Sequence, residues 1–355
     1  MRVLLSAGEA SGDRLGAALV RALRERAPEL EFEGIAGPAM RAEGVRAIAR
    51  VEDLGVMGLF ELLSALPRIW RTRRAAVGAL ERRPQLFVPI DAPDFNLPLL
   101  RVARAEGVPS VLLGSPQVWA WRGGRARDIA GLAREVLCLL PFEPPWYTRA
   151  GGQASFVGHP LADLPPMGPP GQDWAILPGS REGEIRRLLP QMVEAARILQ
   201  ARVPGARVRL PLAPTLRRET LEAVADLRGI EVVGSVAEAV EPARACLVAS
   251  GSATLELACL GRPMAVCYRV HPLSYGLGRL LVRGVKFIAL PNLIAGRPVV
   301  PELLQRFSSE ELVDAWMGAT TAQLPELAAV REAVRGPGAA ERAAERVLAA
   351  LRGTA

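Results

Sequence analysis

Acidic residues follow two apolar runs in the first third of the chain. Glu9 comes two residues after the run Val3–Ala7, and Asp91 comes directly after Leu86–Ile90. If both runs are strands of one parallel sheet, the two carboxylates lie at its carboxyl edge, where such sheets bind ligands. Partial burial there would raise the pKa of Asp91 toward the range that suits a general base. Residue types alone do not separate Asp91 from nearby Asp94, and an ordinary turn remains the alternative.

Small and acidic residues fill the turn after the first apolar run. Ser6–Asp13 reads SAGEASGD, and its glycines are four residues apart, unlike the G-x-G-x-x-G of dinucleotide-binding turns. Glycine lets backbone N–H groups approach a ligand, but the carboxylates of Glu9 and Asp13 would repel a phosphate. We interpret the turn, including Ser11, as a site for sugar hydroxyls. An ordinary strand-to-helix turn is the alternative.

A Gly-Ser turn in the second half of the chain has the composition of an anion site. Gly179, Ser180 and Arg181 follow the apolar run Trp174–Leu177. Backbone N–H groups at the start of a helix bind anions, and arginine presents a planar fork that matches a phosphate. The lysine of a P-loop is missing, so we predict a diphosphate site of another kind. A capped helix with a solvated arginine is the alternative.

A second turn of this kind follows the run Cys246–Ala249. We assign to a bound nucleotide the residues Ser250, Gly251, Ser252, Thr254 and Glu256. Small residues let the backbone approach a diphosphate, and Glu256 lies where it could accept both hydroxyls of a ribose or simply face solvent. Asn292 and Arg297, in the segment LPNLIAGR, are weaker candidates for contacts with the same nucleotide.

Two tryptophans stand out in a chain with 5% aromatic residues. The rings of Trp119 and Trp121 can stack on a sugar or lie beside an acyl chain, and a packing wedge is the alternative. Histidine occurs only at His159 and His271, and no D-x-D is present. We therefore expect no zinc site, no metal-dependent nucleotide-sugar site and no cofactor.

Short apolar runs alternate with helical patterns through most of the chain, which favours parallel sheets covered by helices. The predicted strands are Val3–Ala7, Leu86–Ile90, Ser110–Leu113, Val136–Leu140, Trp174–Leu177, Val208–Leu212, Ile230–Val233, Cys246–Ala249 and Pro263–Tyr268, with helical patterns such as Leu15–Arg26 and Ile185–Arg202 between them. With 355 residues, two α/β domains are expected. We place them at 1–160 and 173–307, joined by a Pro/Gly-rich linker at 161–172 and followed by helices at 308–355.

Charge and cysteine use limit the partners and the compartment. The net charge is +7, the sequence pI is about 10.0, and Lys286 is the only lysine. A basic surface attracts nucleic acid, anionic lipid or phosphorylated substrates; without a recognised motif we expect no nucleic-acid partner. Four cysteines in apolar runs, without C-x-x-C, indicate buried thiols in a reducing compartment. Neither a secretory signal nor a spanning stretch is evident, so we expect a cytoplasmic protein.

One segment has the pattern of a helix that lies in a membrane interface. Val56–Arg74 places Leu62, Leu66 and Trp70 at helical spacing and ends in a cluster of arginines. Such a helix puts apolar groups at the acyl boundary and arginines at anionic headgroups. Pro67 is expected to split it into two short pieces. We predict peripheral attachment to a membrane; a core-facing amphipathic helix is the alternative.

Ten short signatures occur in one order along most of the chain. They are Ala7–Asp13, Gly34–Met40, Val56–Leu59, Ile90–Asn96, Ser115–Arg122, Leu140–Glu143, Phe156–Pro160, Leu177–Arg181, Ser250–Glu256 and Pro291–Arg297. Each is weak alone, but in this order they resemble the lipid-A-disaccharide synthase family. The resemblance implies the GT-B architecture, in which two Rossmann-like domains face each other across a cleft.

The resemblance also implies an activity. The family joins UDP-2,3-diacylglucosamine to 2,3-diacylglucosamine 1-phosphate (lipid X) at the cytoplasmic face of the inner membrane, without a metal. It makes Asp91 the favoured catalytic acid/base, with Glu9 in the same cleft, and associates Arg181, Glu256 and Asn292 with the donor nucleotide. A different UDP-sugar enzyme of this architecture, such as a cell-wall transferase or a 2-epimerase, is the main alternative. Self-association is left open.

Overall fold

The computed structural model describes residues 1–54, 59–119, 124–213, 216–270, 286–336 and 338–353, and at 59–65 it describes the backbone alone. The chain divides into a first unit, Met1–Pro160 with Arg335–Ala355, and a second unit, Leu161–Val334. This differs from the predicted division in two respects. Residues 161–172 belong to the second unit, and residues 308–355 are shared, because only those after Val334 return to the first unit.

The first unit is built on a parallel sheet of seven strands in the order β3-β2-β1-β4-β5-β6-β7. The strands are β1 (Arg2–Ala7), β2 (Glu31–Ala36), β3 (Arg46–Arg50), β4 (Leu86–Ile90), β5 (Val111–Leu113), β6 (Glu135–Cys138) and β7 (Ala154–Phe156). Every residue of β4 is buried, as expected of a strand covered on both faces. The strand order reverses between β1 and β4, and such switch points are where open parallel sheets bind ligands.

Helices cover both faces of this sheet. They are α1 (Ala10–Arg26), α2 (Pro38–Ala42), α3 (Leu59–Glu81), α4 (Pro93–Ala105), α5 (Gly124–Leu132), α6 (Pro144–Thr148) and, from the end of the chain, α14 (Ala339–Arg352). α14 places Ala344, Val347 and Leu351 in the first unit's core. Arg346 pairs with buried Glu135 at 2.8 Å, and Arg342 donates to the carbonyl of Val157. The last helix is therefore an integral part of the first unit.

The second unit repeats the same plan with six parallel strands in the order β10-β9-β8-β11-β12-β13. The strands are β8 (Asp173–Leu177), β9 (Val208–Pro211), β10 (Ile230–Val233), β11 (Ala243–Ala249), β12 (Met264–Tyr268) and β13 (Glu302–Leu304). The helices are α7 (Glu182–Arg202), α8 (Arg218–Glu222), α9 (Val236–Val240), α10 (Ser252–Leu260), α11 (Leu290–Ala295), α12 (Ser309–Gly318) and α13 (Leu324–Val334). Its switch point lies between β8 and β11, so both units have the Rossmann strand order.

The prediction that Pro67 splits the interfacial segment is wrong. Residues 59–81 form one continuous helix, α3, with Pro67 inside it. Proline removes one backbone N–H donor, but the helix continues through Pro67 without that hydrogen bond. The carbonyl of Pro67 even accepts from the guanidinium of Arg71 at 3.3 Å. The backbone of residues 59–81 is thus one helix rather than two short pieces.

Candidate functional site

The first candidate site is the turn at the end of β4. β1 and β4 are paired in parallel, with Ala7 opposite Ile90, so the turns that follow them are neighbours at the switch point. Asp91 and Ala92 have φ angles of +46° and +44°. A left-handed conformation costs a non-glycine residue roughly 1–2 kcal/mol. Two such residues in succession mark a strained turn, and strain of this kind concentrates at functional sites.

Electrostatics support a proton-accepting role for Asp91. Its side chain is accessible to solvent, yet protein atoms crowd the carboxylate. Desolvation raises the pKa of Asp91, and the negative charge of Glu9 raises it further, while a hydrogen bond from the backbone of Ala92 acts in the opposite direction. The structure thus brings together the two predicted catalytic acids, Asp91 and Glu9. A carboxylate with a raised pKa at a ligand-binding edge is suited to general base catalysis.

Asp94 differs from Asp91 in its partner. It lies in the first turn of α4, its side chain is 84% exposed, and it pairs with Arg125 of α5 at 2.6 Å. Its carboxylate is thus engaged by a guanidinium from another helix, whereas Asp91 forms no salt bridge with the residues that the structure describes. The geometry therefore favours Asp91 over Asp94, a choice that residue types left open. Ser11, in the first turn of α1, is exposed near the same edge.

Asp13 has a structural role. Its buried carboxylate accepts from the backbone N–H groups of Gly37 (2.8 Å), Ala39 (2.8 Å) and Met40 (3.1 Å), which begin α2. The expectation that Asp13 helps to form a site for sugar hydroxyls is wrong, because both of its oxygens cap this helix. A side chain at Gly37 would collide with the carboxylate, which explains the second glycine of the Gly34–Met40 signature. Of the two acids in the turn, only Glu9 faces solvent.

A buried polar cluster lies beside this edge, after β5 and β6. Ser115 Oγ is 2.8 Å from the hydroxyl of Tyr147, and Glu143, 2% exposed, accepts from the N–H of Leu140 at 3.0 Å. Burial raises the pKa of Glu143 to about 8, so this carboxyl is mostly protonated at neutral pH. The cluster holds together the loops that carry the Ser115–Arg122 and Leu140–Glu143 signatures.

Of the two predicted tryptophans, the structure describes only Trp119. Trp119 is half-buried and packs edge-on against Phe142, with ring centroids 5.3 Å apart. Its indole N–H lies near enough to Glu143 to lower that residue's pKa, although the pair lacks the geometry of a full hydrogen bond. These contacts agree with the packing alternative for Trp119. Trp121 lies outside the described residues.

The second unit carries the predicted anion turn at its own switch point. Gly179 follows β8 with a φ of +109°, and Arg181 is the N-cap of α7, with a side chain that is 77% exposed. Glu184 already occupies this turn. Its carboxylate accepts from the N–H of Ser180 at 3.2 Å, from the N–H of Arg181 at 3.4 Å and from the Arg181 guanidinium at 3.3 Å. These contacts form a capping box at the start of α7 and agree with the alternative of a capped helix with a solvated arginine.

The adjacent turn after β11 is partly committed to structure. Ser250 Oγ donates to the carbonyl of Ile288 at 2.7 Å, and Thr254 Oγ1 donates to Gly251 at 2.8 Å and accepts from Leu290. Thr254 is fully buried, so its predicted contact with the nucleotide does not occur in this arrangement. Gly251 and Ser252 are exposed and Glu256 is half-buried. The exposed backbone of this turn is what remains for a ligand.

Asn292 and Arg297 are engaged with protein groups. Asn292, 1% exposed, donates to the carbonyl of Val300 and to Glu302, and its Oδ1 accepts from the N–H groups of Val299 and Val300. Its amide thus has no capacity left for a nucleotide, and the predicted direct contact is replaced by a role in shaping the loop. Arg297 pairs with Glu326 of α13 and remains more than half exposed.

Some of the structural support for the sites lies in residues to which sequence reasoning gave no role. Asn96 binds the ends of β1 and β4, Glu302 receives the N–H groups of Ile288 and Ala289, and Arg125 neutralises Asp94. Asn96 and Glu302 stand in or next to signatures, but residue spacing does not show which backbone groups they bind.

Two observations bear on metals and membranes. Over the described parts of the chain, no group of three or more His, Cys, Asp or Glu side chains is placed to hold a metal ion. Within the same residues, no helix is both long and apolar enough to cross a bilayer.

On α3, Leu66 is 51% and Trp70 61% exposed, and the guanidinium of Arg74 lies over the Trp70 ring. The backbone at Leu62 is helical, but its side chain lies outside the described residues.

Two Rossmann-like units, each with polar turns at the switch point of its sheet, place the chain in the GT-B fold class. The calicheamicin glycosyltransferase is similar in fold, with a TM-score of 0.62 and 18% identity over 99% of this chain and 98% of that one. So is the UDP-GlcNAc 2-epimerase from Neisseria meningitidis bound to UDP-GlcNAc, with a TM-score of 0.60 and 11% identity over 99% and 100% of the chains.

Sequence similarity then gives the family. The chain belongs to the lipid-A-disaccharide synthetase family, whose model matches residues 3–324. The lipid-A-disaccharide synthase of Myxococcus xanthus is 43% identical over an alignment of 374 positions, which covers 99% of this chain and 97% of the relative. That of Alkalilimnicola ehrlichii is 46% identical over 326 residues, 86% of this chain and 85% of the relative. The resemblance drawn from the ten signatures is confirmed.

Proposed function

We propose that the protein transfers 2,3-diacylglucosamine from UDP to the 6-hydroxyl of 2,3-diacylglucosamine 1-phosphate (lipid X). The products are UDP and the β(1→6) disaccharide 1-phosphate. The proposal is supported by near full-length identity of 43% to a lipid-A-disaccharide synthase. The strained, accessible Asp91 in the first unit is the single structural observation that carries it.

The stereochemistry assigns a task to Asp91. The donor is α-linked and the product β-linked, so the acceptor hydroxyl attacks the anomeric carbon from the side opposite the diphosphate. The hydroxyl proton must leave as the new bond forms, and a positioned carboxylate accepts it. A base of this kind contributes roughly 10²–10⁴ in rate. Glu9, by raising the pKa of Asp91, favours uptake of that proton.

The leaving diphosphate gains negative charge as the glycosidic bond breaks. The N–H groups of Ser180 and Arg181 and the Arg181 guanidinium, which bind the Glu184 carboxylate here, are donors of the right kind to receive it. Fixed donors stabilise such charge without reorganisation. We therefore propose that diphosphate binds at this turn, with displacement of Glu184, and that no metal is required.

The test is release of UDP from UDP-2,3-diacylglucosamine, measured with and without lipid X and in the presence and absence of EDTA. We expect release that depends on lipid X and is unchanged by EDTA. Release without the acceptor would point to hydrolysis or epimer chemistry instead. Activity lost in EDTA and restored by Mg²⁺ would contradict the metal-free mechanism.

Both proposed substrates carry acyl chains, so the protein must meet them at a bilayer. We propose that α3 provides the contact, at the cytoplasmic face of the inner membrane. Leu66 and Trp70 are one helical turn apart and both largely exposed, and Arg68, Arg71 and Arg74 are exposed on the same helix. Arginines near an anionic surface contribute about 1 kcal/mol each. Attachment would thus be peripheral and sensitive to salt.

Sedimentation with anionic liposomes tests the contact. The variant with Leu62, Leu66 and Trp70 changed to Ser should stay folded and pellet less than the parent protein. Leu164→Ser is the matched control, because Leu164 is also an exposed leucine, 39% accessible, but lies in the second unit. If the folded triple variant pellets as fully as the control at low and high salt, α3 is not the membrane contact.

A further inference from the structure

One buried amide lies directly beneath the strained turn. Asn96, in the first turn of α4, is 1% exposed. Its Nδ2 donates to the carbonyls of Asp91 (2.8 Å), Ile90 (3.1 Å) and Ser6 (3.2 Å). Its Oδ1 accepts from Ser6 Oγ at 2.7 Å. A single side chain thus binds the last residues of β1 and β4 and the residue proposed as the base.

These bonds act where the backbone is least favourable. Asp91 and Ala92 stay left-handed, with φ of +46° and +44°, only if the surrounding structure holds them there. The N–H of Asp91 is already fixed by the carbonyl of Leu113 at 2.9 Å, and Asn96 fixes its carbonyl. Both backbone groups of Asp91 are therefore held, which leaves the direction of its Cα–Cβ bond little freedom.

The neighbouring glycines show how closely this turn is fitted. A Cβ at Gly8 would overlap the Cβ of Ala92, and a Cβ at Gly114 would lie 3.6 Å from the Cβ of Asp91. The turns after β1, β4 and β5 are therefore packed against one another. Asn96 and Ser6 are the side chains that tie the first two of these turns together by hydrogen bonds.

We propose that Asn96, supported by Ser6, is a positioning residue that aims the carboxylate of Asp91 at the acceptor hydroxyl. The proposal rests on the proposed role of Asp91 as the base. Asn96 does not touch the reacting atoms; it holds the backbone from which the base projects. A misplacement of about 1 Å can cost roughly 10² in rate, so loss of this support should reduce kcat while the binding groups for both substrates stay in place.

The experiment compares four variants in steady-state assays with both substrates varied: Asn96→Ala, Ser6→Ala, Asp91→Asn and the double variant Asn96→Ala with Ala92→Gly. Asn96→Ala is expected to lower kcat about 10²-fold with KM for donor and acceptor within about threefold of wild type. Ser6→Ala removes one of the four bonds and should give a smaller loss of kcat in the same direction. Asp91→Asn reports on the base itself and should be the least active of the set.

Ala92→Gly separates positioning from folding. Glycine adopts positive φ without strain, so adding Ala92→Gly to Asn96→Ala should restore much of any lost thermal stability. It should not restore kcat, since glycine increases the backbone freedom of the turn and does not fix the direction of the Asp91 carboxylate. If the double variant recovers wild-type kcat, Asn96 acts only on stability and the proposal is overturned.

The pH profile gives a second readout. Glu9 is the ionisable group that raises the pKa of Asp91 beside the desolvation of the turn. If the turn relaxes in Asn96→Ala, the carboxylate gains water, and the acid limb of kcat/KM should move to lower pH. A limb that stays in place together with kcat within twofold of wild type would overturn the proposal. Should Asn96→Ala fail to fold, the same two readings on Ser6→Ala decide.

The outcomes keep the two proposals apart. If Asp91→Asn is as active as wild type, the assignment of the base fails whatever Asn96 does. If Asp91→Asn is inactive while folded Asn96→Ala, or Ser6→Ala where Asn96→Ala does not fold, keeps wild-type kcat and pH profile, the base stands and the positioning role is rejected.

Discussion

The two units share a strand order but build different turns at their switch points. In the first unit, non-glycine residues at 91 and 92 are left-handed; in the second, the only residue of the Gly179–Arg181 turn with positive φ is a glycine, which takes it without strain. The first turn is the one proposed to aim a carboxylate, and the second is the one proposed to bind a diphosphate through backbone N–H groups. Between these two turns, only the proposed base turn places non-glycine residues at positive φ.

Each unit also contains a buried asparagine whose amide nitrogen and amide oxygen are both hydrogen-bonded. Asn96 hydrogen-bonds Ser6 of β1 and the carbonyl of Asp91, the proposed base. Asn292 binds Glu302 and the loop at Val299 and Val300. An asparagine side chain therefore supports the proposed catalytic turn in one unit and a loop in the other. Four substitutions test how far this division of labour between the units extends.

The largest effect is expected at Asp91. Asp91→Asn keeps the shape of the side chain but removes the proton acceptor, so kcat should fall roughly 10²–10⁴-fold while UDP binding is unchanged. In the wild type, kcat/KM should fall as pH decreases through the raised pKa of Asp91, because the base must be ionised; this limb should vanish in the variant. Asp94→Asn, at a carboxylate already paired with Arg125, is the control and should lose much less.

Asp13 should matter for stability rather than for chemistry. Asp13→Asn replaces one acceptor oxygen with an N–H₂ group that faces the backbone donors at the start of α2. Charged hydrogen bonds of this kind are worth about 1.5–3 kcal/mol each, so we expect a loss of about 2–3 kcal/mol in the free energy of unfolding. Glu9→Gln, at an exposed acid in the same turn, should unfold like wild type in denaturant. Equal losses from both variants would contradict this distinction.

Arg181 should control donor affinity in the second unit. Arg181→Ala removes a charged donor from the anion turn, and we expect the Kd for UDP to rise about 10-fold or more. Arg186→Ala is a matched control, since Arg186 is an exposed arginine on the same helix, paired with Glu182 at 2.6 Å. Isothermal titration with UDP measures both. An unchanged Kd in Arg181→Ala would remove this turn from the donor site.

The smallest effect is expected at Glu184. Glu184→Gln keeps a capping acceptor but removes the negative charge that a diphosphate must displace. UDP should then bind a few-fold more tightly, in contrast to the weaker binding expected of Arg181→Ala. If Glu184→Gln binds UDP less tightly, the carboxylate supports the donor site rather than competing for it.

Much of the fold is predictable from local pattern. Buried strands such as β4 are continuous apolar runs, and the predicted strands agree with the structure to within two residues, except that β11 begins three residues before its predicted start. The strands β2, β3, β7 and β13 are not predicted. β2 is missed because its sequence EFEGIA contains two acids. Glu33 is buried there because Arg46 and Arg82 reach it from other elements. A partner 13 or 49 residues away cannot be found from the strand's own periodicity.

The site shows the same limit. Strand ends rich in Gly, Ser and acids indicated both switch-point turns, including Asp91 and Arg181. The roles inside those turns depended on distant partners: Asp13 caps a helix that begins 25 residues later, and Asn292 uses its whole amide on Val300 and its neighbours. Residue type and spacing therefore locate such turns, while the division between ligand-binding and structural side chains needs the three-dimensional hydrogen bonds.

The placement of α14 has a consequence for how the protein is made. The second unit is continuous in the chain, but the first unit's core includes Ala344, Val347 and Leu351 from the far end. During translation, which proceeds from the N-terminus, the second unit can complete its core while the first still lacks a helix. The earlier-made part would therefore be the later to finish folding. A frameshift or proteolytic cut near residue 335 would strip a helix from the unit that carries Asp91, although that residue lies far upstream in the gene.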